Sequence, residues 1–206
     1  MKYEMIIFDI DGTLWEASEI TMIAANIIAD KYPEIPKVTI DDIDNVMGLG
    51  KTEIAQILMP NIELSKAIKY VELQINKSLE LINRDGAHIY DNVIDTIKYL
   101  AKKYKLGIIT NNVDDYAKLF LNKSNLEKYF DDFIGNASYG ISKSEAIKKM
   151  MSKNKVTSAC YIGDIKKDMQ AATEANIDFI HAKYGFEPDL KCKIHINDII
   201  ELKDLL

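Results

Sequence analysis

The stretch "EMIIFDIDGT", Glu4 to Thr13, is an apolar run that stops at two carboxylates, Asp9 and Asp11, and then turns away at Gly12 and Thr13. Met5 to Phe8 has the continuous apolar character of a parallel strand covered on both faces. Two acids at the end of such a strand repel and raise each other's pKa. A fold accepts that cost when a positive charge sits between them, or when the two acids have different tasks.

Outward from this strand the chain changes character, and the next seventy or so residues read almost entirely as helix. Ile20, Ile23, Ala24, Ile27 and Ile28 form an apolar stripe at helical spacing. Thr39 is placed to cap a helix through "TIDDIDNVMG", with Gly48 as its stop. A second short helix fits Thr52 to Met59, closed by Pro60. The longest stripe is Leu64, Ala67, Ile68, Val71, Ile75, Leu79 and Ile82, followed by a turn predicted at "NRDG", Asn83 to Gly86.

From about Tyr90 helix and strand alternate. A helix carries Val93, Ile97, Leu100 and Ala101, and the strand "LGIIT" follows. A helix through Phe120 and Leu121 leads to the strand "DFIG". A helix around Ala146 to Met151 leads to "ACYIG", and one through Met169 to Ala175 leads to "DFIHA". Such alternation implies βαβ units and a parallel sheet. The expected fold is therefore α/β: a doubly wound, Rossmann-like parallel core from residues 1–14 and 88–206, with an all-helical cap inserted at 15–87.

Open parallel sheets bind ligands beyond the carboxyl ends of their strands. Those ends carry Asp9 and Asp11, then Thr110, Asn111 and Asn112, then Gly163 and Asp164, with Asp168 one turn later. Lys143 precedes another helix in "YGISKSEA". Crowded acids call for a cation, and hard oxygen donors suit Mg²⁺ with substrate phosphate. A hydroxyl, a lysine and backbone N–H groups near Gly12 and Asn111 can hold phosphoryl oxygens. One carboxylate can attack phosphorus, and another can give a proton to the leaving oxygen and later take one from water.

With "DIDGT" at Asp9 to Thr13, "TNN" at Thr110 to Asn112, Lys143, and "GDIKKD" at Gly163 to Asp168, essentially the whole chain resembles the haloacid dehalogenase-like hydrolases. It is most similar to the branch of phosphoglycolate phosphatase and β-phosphoglucomutase, whose helical cap follows the first motif. The resemblance implies that Asp9 is the nucleophile and a Mg²⁺ ligand. It implies that Asp11 is the general acid/base, with its backbone carbonyl on the metal. Thr110 and Lys143 would bind the phosphoryl group, Asp164 would ligate Mg²⁺, and Asp168 would be a ligand or stand just behind one. The family's dehalogenases lack the acid/base Asp, so Asp11 points to a phosphorylated substrate, and a cap of about seventy residues leaves room for a small metabolite rather than a protein. A phosphatase is expected, with a phosphomutase as the alternative. Three features depart from the family pattern: Lys143 is followed by Ser144 rather than Pro, Ala175 by Asn176 rather than Gly, and "LWEAS" replaces the usual Leu-x-Asp-Ser. Asn176 tolerates the left-handed backbone that a helix end needs.

"GLGKT", Gly48 to Thr52, is not a phosphate-binding P-loop, because Asn45 stands where the first Gly belongs and no strand precedes it. It is expected to join two cap helices and overhang the active site, with Lys51 a solvated surface lysine. Trp15 is expected to line the pocket, with a plug at the hinge as the alternative. His88, His181 and His195 form no ligand spacing.

Composition narrows the partners. The chain has 206 residues, is 48% hydrophobic and 28% charged, and carries a formal net charge of −6, the profile of an ordinary globular protein. No Lys/Arg block is longer than a few residues, only local pairs such as Lys102-Lys103 and Lys166-Lys167, which argues against a nucleic-acid partner. Of two cysteines, Cys160 reads as buried, and no disulfide or metal spacing follows. No apolar run approaches a membrane span, and the first residues show no signal-peptide pattern. A cytoplasmic location is expected, with the oligomeric state open between monomer and dimer.

Overall fold

Strand β1, Met5–Phe8, is buried along its whole length. The computed structural model describes residues 2–206 and divides into two units, Met1–Glu16 with Ile89–Leu206, and Ala17–His88. After β1 come β2 (Trp15–Glu16) and four helices, α1 (Ser18–Lys31), α2 (Ile40–Asp44), α3 (Lys51–Leu58) and α4 (Leu64–Asp85). Then follow β3 (His88–Ile89), α5 (Val93–Leu100), β4 (Lys105–Thr110), α6 (Asp114–Ser124), β5 (Asp132–Gly135) and α7 (Lys143–Asn154). The chain continues through β6 (Ala159–Gly163), α8 (Lys166–Glu174), β7 (Asp178–Ala182), β8 (His195–Ile196) and α9 (Leu202–Leu205).

Six strands form one sheet in the order β5-β4-β1-β6-β7-β8, every pairing parallel. This is the doubly wound α/β core expected from the alternation. β1 is central, so the strand order reverses beside it, and such a switch point opens a crevice beyond the carboxyl ends. Successive side chains of a strand face opposite sides of a sheet. On one side Met5 and Ile7 pack with Ile147 and Met150 of α7 and with Ala171 and Ala172 of α8. Tyr161 is buried in the same layer and satisfies its hydroxyl on the Ile109 carbonyl at 2.9 Å. β8 has no signal in the sequence, since two residues are too few to show a period. β2 and β3 pair as a separate two-stranded sheet.

Within residues 17–88, α1, α3 and α4 enclose a small core of Ile28, Ala29, Ala55, Met59, Ala67, Tyr70 and Val71. Thr39 caps α2, and Asp42 returns the bond to the Thr39 N–H at 2.8 Å. Two expectations are corrected. The buried face of α1 is Ala24, Ala25, Ile28 and Ala29, while Ile23 is 44% exposed; small residues let neighbouring helices approach closely, and they outweigh the bulkier isoleucine stripe. The "NRDG" segment is the last turn of α4, which runs to Asp85 and is ended by Gly86 at φ +84°. Asn83 tolerates a helix, whereas glycine takes that backbone without a Cβ penalty. Among the described residues no helix is long and apolar enough to cross a membrane.

Candidate active site

Strand register fixes the site. Phe8 lies beside Ile108 of β4 and Ile162 of β6. Asp9 follows Phe8 directly, Thr110 ends β4, and Gly163 with Asp164 ends β6, so residues far apart in sequence meet beyond three adjacent strands. The Asp9 N–H donates to the Ile162 carbonyl at 2.9 Å, extending the ladder to the acid itself.

Asp9, Asp164 and Asp168 are 2%, 1% and 0% exposed, and each offers a carboxylate oxygen within 4.8 Å of the others. Lys143 is the only cation bonded into this group among the described residues; its Nζ lies 3.1 Å from Asp9 and 2.6 Å from Asp168. Lys143 is the first residue of α7 rather than preceding it, and Ser142 and Glu145 cap that helix reciprocally. Burial pushes the Asp9 carboxyl well up; Lys143 opposes the shift and Asp168 and Asp11 add to it. Asp164 is likewise raised by burial and by Asp168 and Asp9. Burial alone would lower the Lys143 ammonium, but Asp168 and Asp9 outweigh it and hold the lysine charged. One lysine does not balance three buried carboxylates, and the donor set is all hard oxygen. That combination fits Mg²⁺.

Asp168 does not share a helix face with Asp164, because α8 begins only at Lys166. Its carboxylate reaches back to the N–H groups of Asp164 at 3.2 Å and Ile165 at 3.4 Å. It therefore holds the loop that carries Asp164 and anchors Lys143 at once.

Asp11 stands apart from this cluster. Its Oδ1 accepts from the Trp15 indole Nε1 at 3.1 Å and from the Tyr116 hydroxyl. Burial raises the Asp11 carboxyl to about 6, with the Tyr116 and Trp15 bonds opposing the rise. Trp15 does not line a pocket: it is fully buried against Tyr116 and Phe120, with ring centroids at 5.4 and 5.3 Å. An indole loses more by exposure than its single N–H requires, and here that N–H is satisfied inside.

Thr110 is buried, and its Oγ1 accepts the Asn112 N–H at 3.2 Å, which leaves the hydroxyl proton to donate elsewhere. Asn111 is half-buried in the loop that follows. Gly12 has φ +76°, and a Cβ there would overlap the Asp164 carboxylate. Sequence reasoning missed the loop after β7, although it too leaves a strand end. The Phe186 N–H donates to Asp164 Oδ2 at 2.8 Å, and Gly185 packs so closely that a Cβ would overlap Asp164 and the Gly12 carbonyl. His181 is buried, with Nε2 3.2 Å from the Asp164 carbonyl; burial lowers its pKa, so the neutral ring donates there. Groups that orient a metal ligand typically carry 10–100-fold in metal affinity or activity. If Asp164 holds Mg²⁺, Gly185→Ala is expected to raise the Mg²⁺ concentration needed for half-maximal activity by about that factor. A metal titration of activity checks this, and an unchanged midpoint would show that the loop does not position Asp164.

Lys51, within 17–88, is paired with Glu72 at 2.6 Å, both half-exposed, as a surface lysine should be. Asn176 takes φ +59° after α8, the backbone anticipated for it.

Sheet order, strand-end acids and the lysine that bridges them define a doubly wound α/β protein with a buried acidic site at its strand ends. The profile of the haloacid dehalogenase-like hydrolases matches residues 6–182, and this chain belongs to that family. Phosphoglycolate phosphatase of Aliivibrio fischeri is 26% identical to it over 194 residues, covering 89% of this chain and 85% of that protein. The phosphoglycolate phosphatase of Colwellia psychrerythraea is 28% identical over 200 residues, covering 89% and 85%. Among solved structures, a predicted phosphoglycolate phosphatase from Haemophilus somnus superposes with a TM-score of 0.87 at 18% identity, covering 100% of this chain and 98% of that one. A haloacid dehalogenase-like family hydrolase from Streptococcus pneumoniae gives 0.81 at 19%, covering 99% and 98%. At these identities the structural likeness speaks to the fold.

Proposed function

We propose that this chain is a Mg²⁺-dependent phosphatase that hydrolyses a small phosphomonoester through an aspartyl-phosphate on Asp9. The observation that carries the reading is the meeting of Asp9, Asp164 and Asp168 within 4.8 Å, with Lys143 bonded to two of them. Asp9, Asp164 and the Asp11 backbone carbonyl would hold the metal, with Asp168 beside them. A bound Mg²⁺ supplies charge that lets an anionic nucleophile approach an anionic phosphoryl group.

The chain's own groups do the rest. A carboxylate oxygen of Asp9 attacks phosphorus, and the bond from phosphorus to the ester oxygen breaks. The Asp11 carboxyl gives its proton to that oxygen, and the alcohol leaves. Water then attacks the phosphoryl group and passes a proton to Asp11. Inorganic phosphate departs, Asp9 is again a carboxylate, and Asp11 is again an acid. Lys143, the Thr110 hydroxyl and a backbone N–H at Asn111 hold the phosphoryl oxygens; the Gly12 N–H, expected among these donors, is instead given to the Trp15 carbonyl at 3.0 Å. Residues 15–87 are read as a helical cap that would select the leaving group, and the phosphoglycolate phosphatase relatives make 2-phosphoglycolate the first substrate to try.

The test is release of inorganic phosphate from 2-phosphoglycolate and a panel of phosphorylated metabolites. Activity is expected with Mg²⁺, complete loss in excess EDTA, and recovery when Mg²⁺ is restored. Turnover that persists in EDTA would remove the metal from the reading. An isomeric phosphoester formed without free phosphate would make the chain a phosphomutase instead.

A further inference from the structure

Asp11 is gripped by two side chains from different elements, neither of them among the motifs. Trp15 belongs to its own turn, closed by the Trp15 N–H on the Ile10 carbonyl at 3.1 Å and the Gly12 N–H on the Trp15 carbonyl at 3.0 Å. Tyr116 comes from α6. That helix is pinned to β5, where Asp114 Oδ1 accepts the Gly135 N–H at 2.7 Å. Tyr116 and Phe120 are one turn apart on α6, and the Trp15 ring meets both edge-on, at interplanar angles of 75° and 88°. Trp15 and Phe120 have no exposed surface and Tyr116 has 3%. The donors are therefore locked before any ligand arrives. Trp15 Nε1 also lies 3.1 Å from the Tyr116 oxygen, so indole, phenol and carboxylate close a triangle.

We propose that Tyr116 and Trp15 are positioning residues for Asp11, occupying its Oδ1 so that the catalytic proton is carried and delivered from Oδ2. This rests on the reading of Asp11 as the general acid/base. A carboxyl group has two oxygens, and a proton can sit on either. Two donors aimed at Oδ1 compete with a proton there and direct it to the other oxygen. They also fix the plane of the group, which rotates freely in a solvated aspartate. Proton transfer in a transition state needs that alignment. Neither side chain gains or loses a proton in the cycle.

The consequence depends on the leaving group. An alkyl alkoxide such as that of 2-phosphoglycolate needs a proton as its bond to phosphorus breaks, whereas p-nitrophenolate leaves well without one. Tyr116→Phe deletes the hydroxyl and keeps the ring that packs on Trp15. In single turnover it is expected to slow cleavage of 2-phosphoglycolate by about 10–100-fold, below the full contribution of a general acid. Release of p-nitrophenol from p-nitrophenyl phosphate is expected to change by less than about threefold, followed by slowed steady-state turnover, a burst, because the water step still needs the base. Trp15→Phe, which removes the other donor, is expected to show the same leaving-group pattern.

Asp11→Asn in the same two assays separates the layers. It is expected to give the same pattern with a larger loss. If Asp11→Asn slows both substrates equally, the acid/base reading itself fails. If Asp11→Asn discriminates while Tyr116→Phe slows both substrates equally or neither, the positioning role alone is overturned. The chain has one tryptophan, so its fluorescence reports folding at this spot directly. Should Tyr116→Phe lose the emission of a buried indole, Trp15→Phe, checked by its thermal transition, decides by the same criterion.

Discussion

Replacing Asp9 by Asn is expected to lower kcat on any phosphomonoester by roughly four to six orders of magnitude, the scale seen when an enzyme loses its nucleophile. The amide matches the carboxylate in shape, and the backbone bond to Ile162 stays, so the strand end is preserved. What disappears is the oxygen proposed to bond to phosphorus. Stability should move the other way or not at all. Burial together with Asp168 and Asp11 disfavours the charged form of Asp9 in the fold, and a neutral amide relieves that crowding. In EDTA the variant is expected to melt no lower than the parent, the usual trade between stability and a strained active site. Turnover within tenfold of the parent would remove Asp9 from the nucleophile's place.

Lys143→Met is expected to have the largest effect on folding. Methionine keeps the length of the side chain and removes the only cation bonded to Asp9 and Asp168 among the described residues. Removing one partner from a buried ion pair typically costs about 3–5 kcal/mol, because the remaining charge is left uncompensated. Protonation of the orphaned acids caps the loss but cannot restore the bonds. Excess Mg²⁺ should recover part of it, since a ligand held only by the folded state stabilises by mass action. Urea unfolding of parent and variant, with EDTA and with Mg²⁺, measures both effects. A variant within about 1 kcal/mol of the parent in EDTA would contradict the cost stated for an uncompensated buried charge. Activity should also fall by about 10²–10³-fold, the scale for losing one group that stabilises transition-state charge.

The sheet was readable in the sequence because each buried strand is a short unbroken apolar run between helical stripes, and strand ends name the residues that meet. Asp9, Thr110 and Asp164 come to one edge for that reason, and Lys143 joins them from the first turn of α7. The four-residue spacing of Asp164 and Asp168 suggests a shared helix face, but Asp168 instead binds the Asp164 and Ile165 N–H groups from the first turn of α8. Tyr116 left no trace, since a tyrosine one turn into a helix reads as ordinary core, and its hydroxyl finds Asp11 only through tertiary packing. Trp15 was misjudged because position beside a motif says nothing about which way a side chain turns. Gly185 and Phe186 follow the end of β7 with no side-chain signal, since there the Phe186 N–H, not a side chain, makes the contact. The isoleucine stripe of α1 misled because periodicity counts size, while close helix packing selects alanine.

The central position of β1 bears on how the protein is made. Its two neighbours, β4 and β6, are synthesised roughly one hundred and one hundred and fifty residues later. A ribosome adding about 5–20 residues per second leaves this apolar segment unpaired for many seconds. Residues 17–88, whose contacts are local, can form their helices meanwhile. Strand β1 must wait for β6 before both its edges are covered. Any slowing of translation between Lys105 and Gly163 lengthens the interval in which a chaperone, or another nascent chain, competes for it.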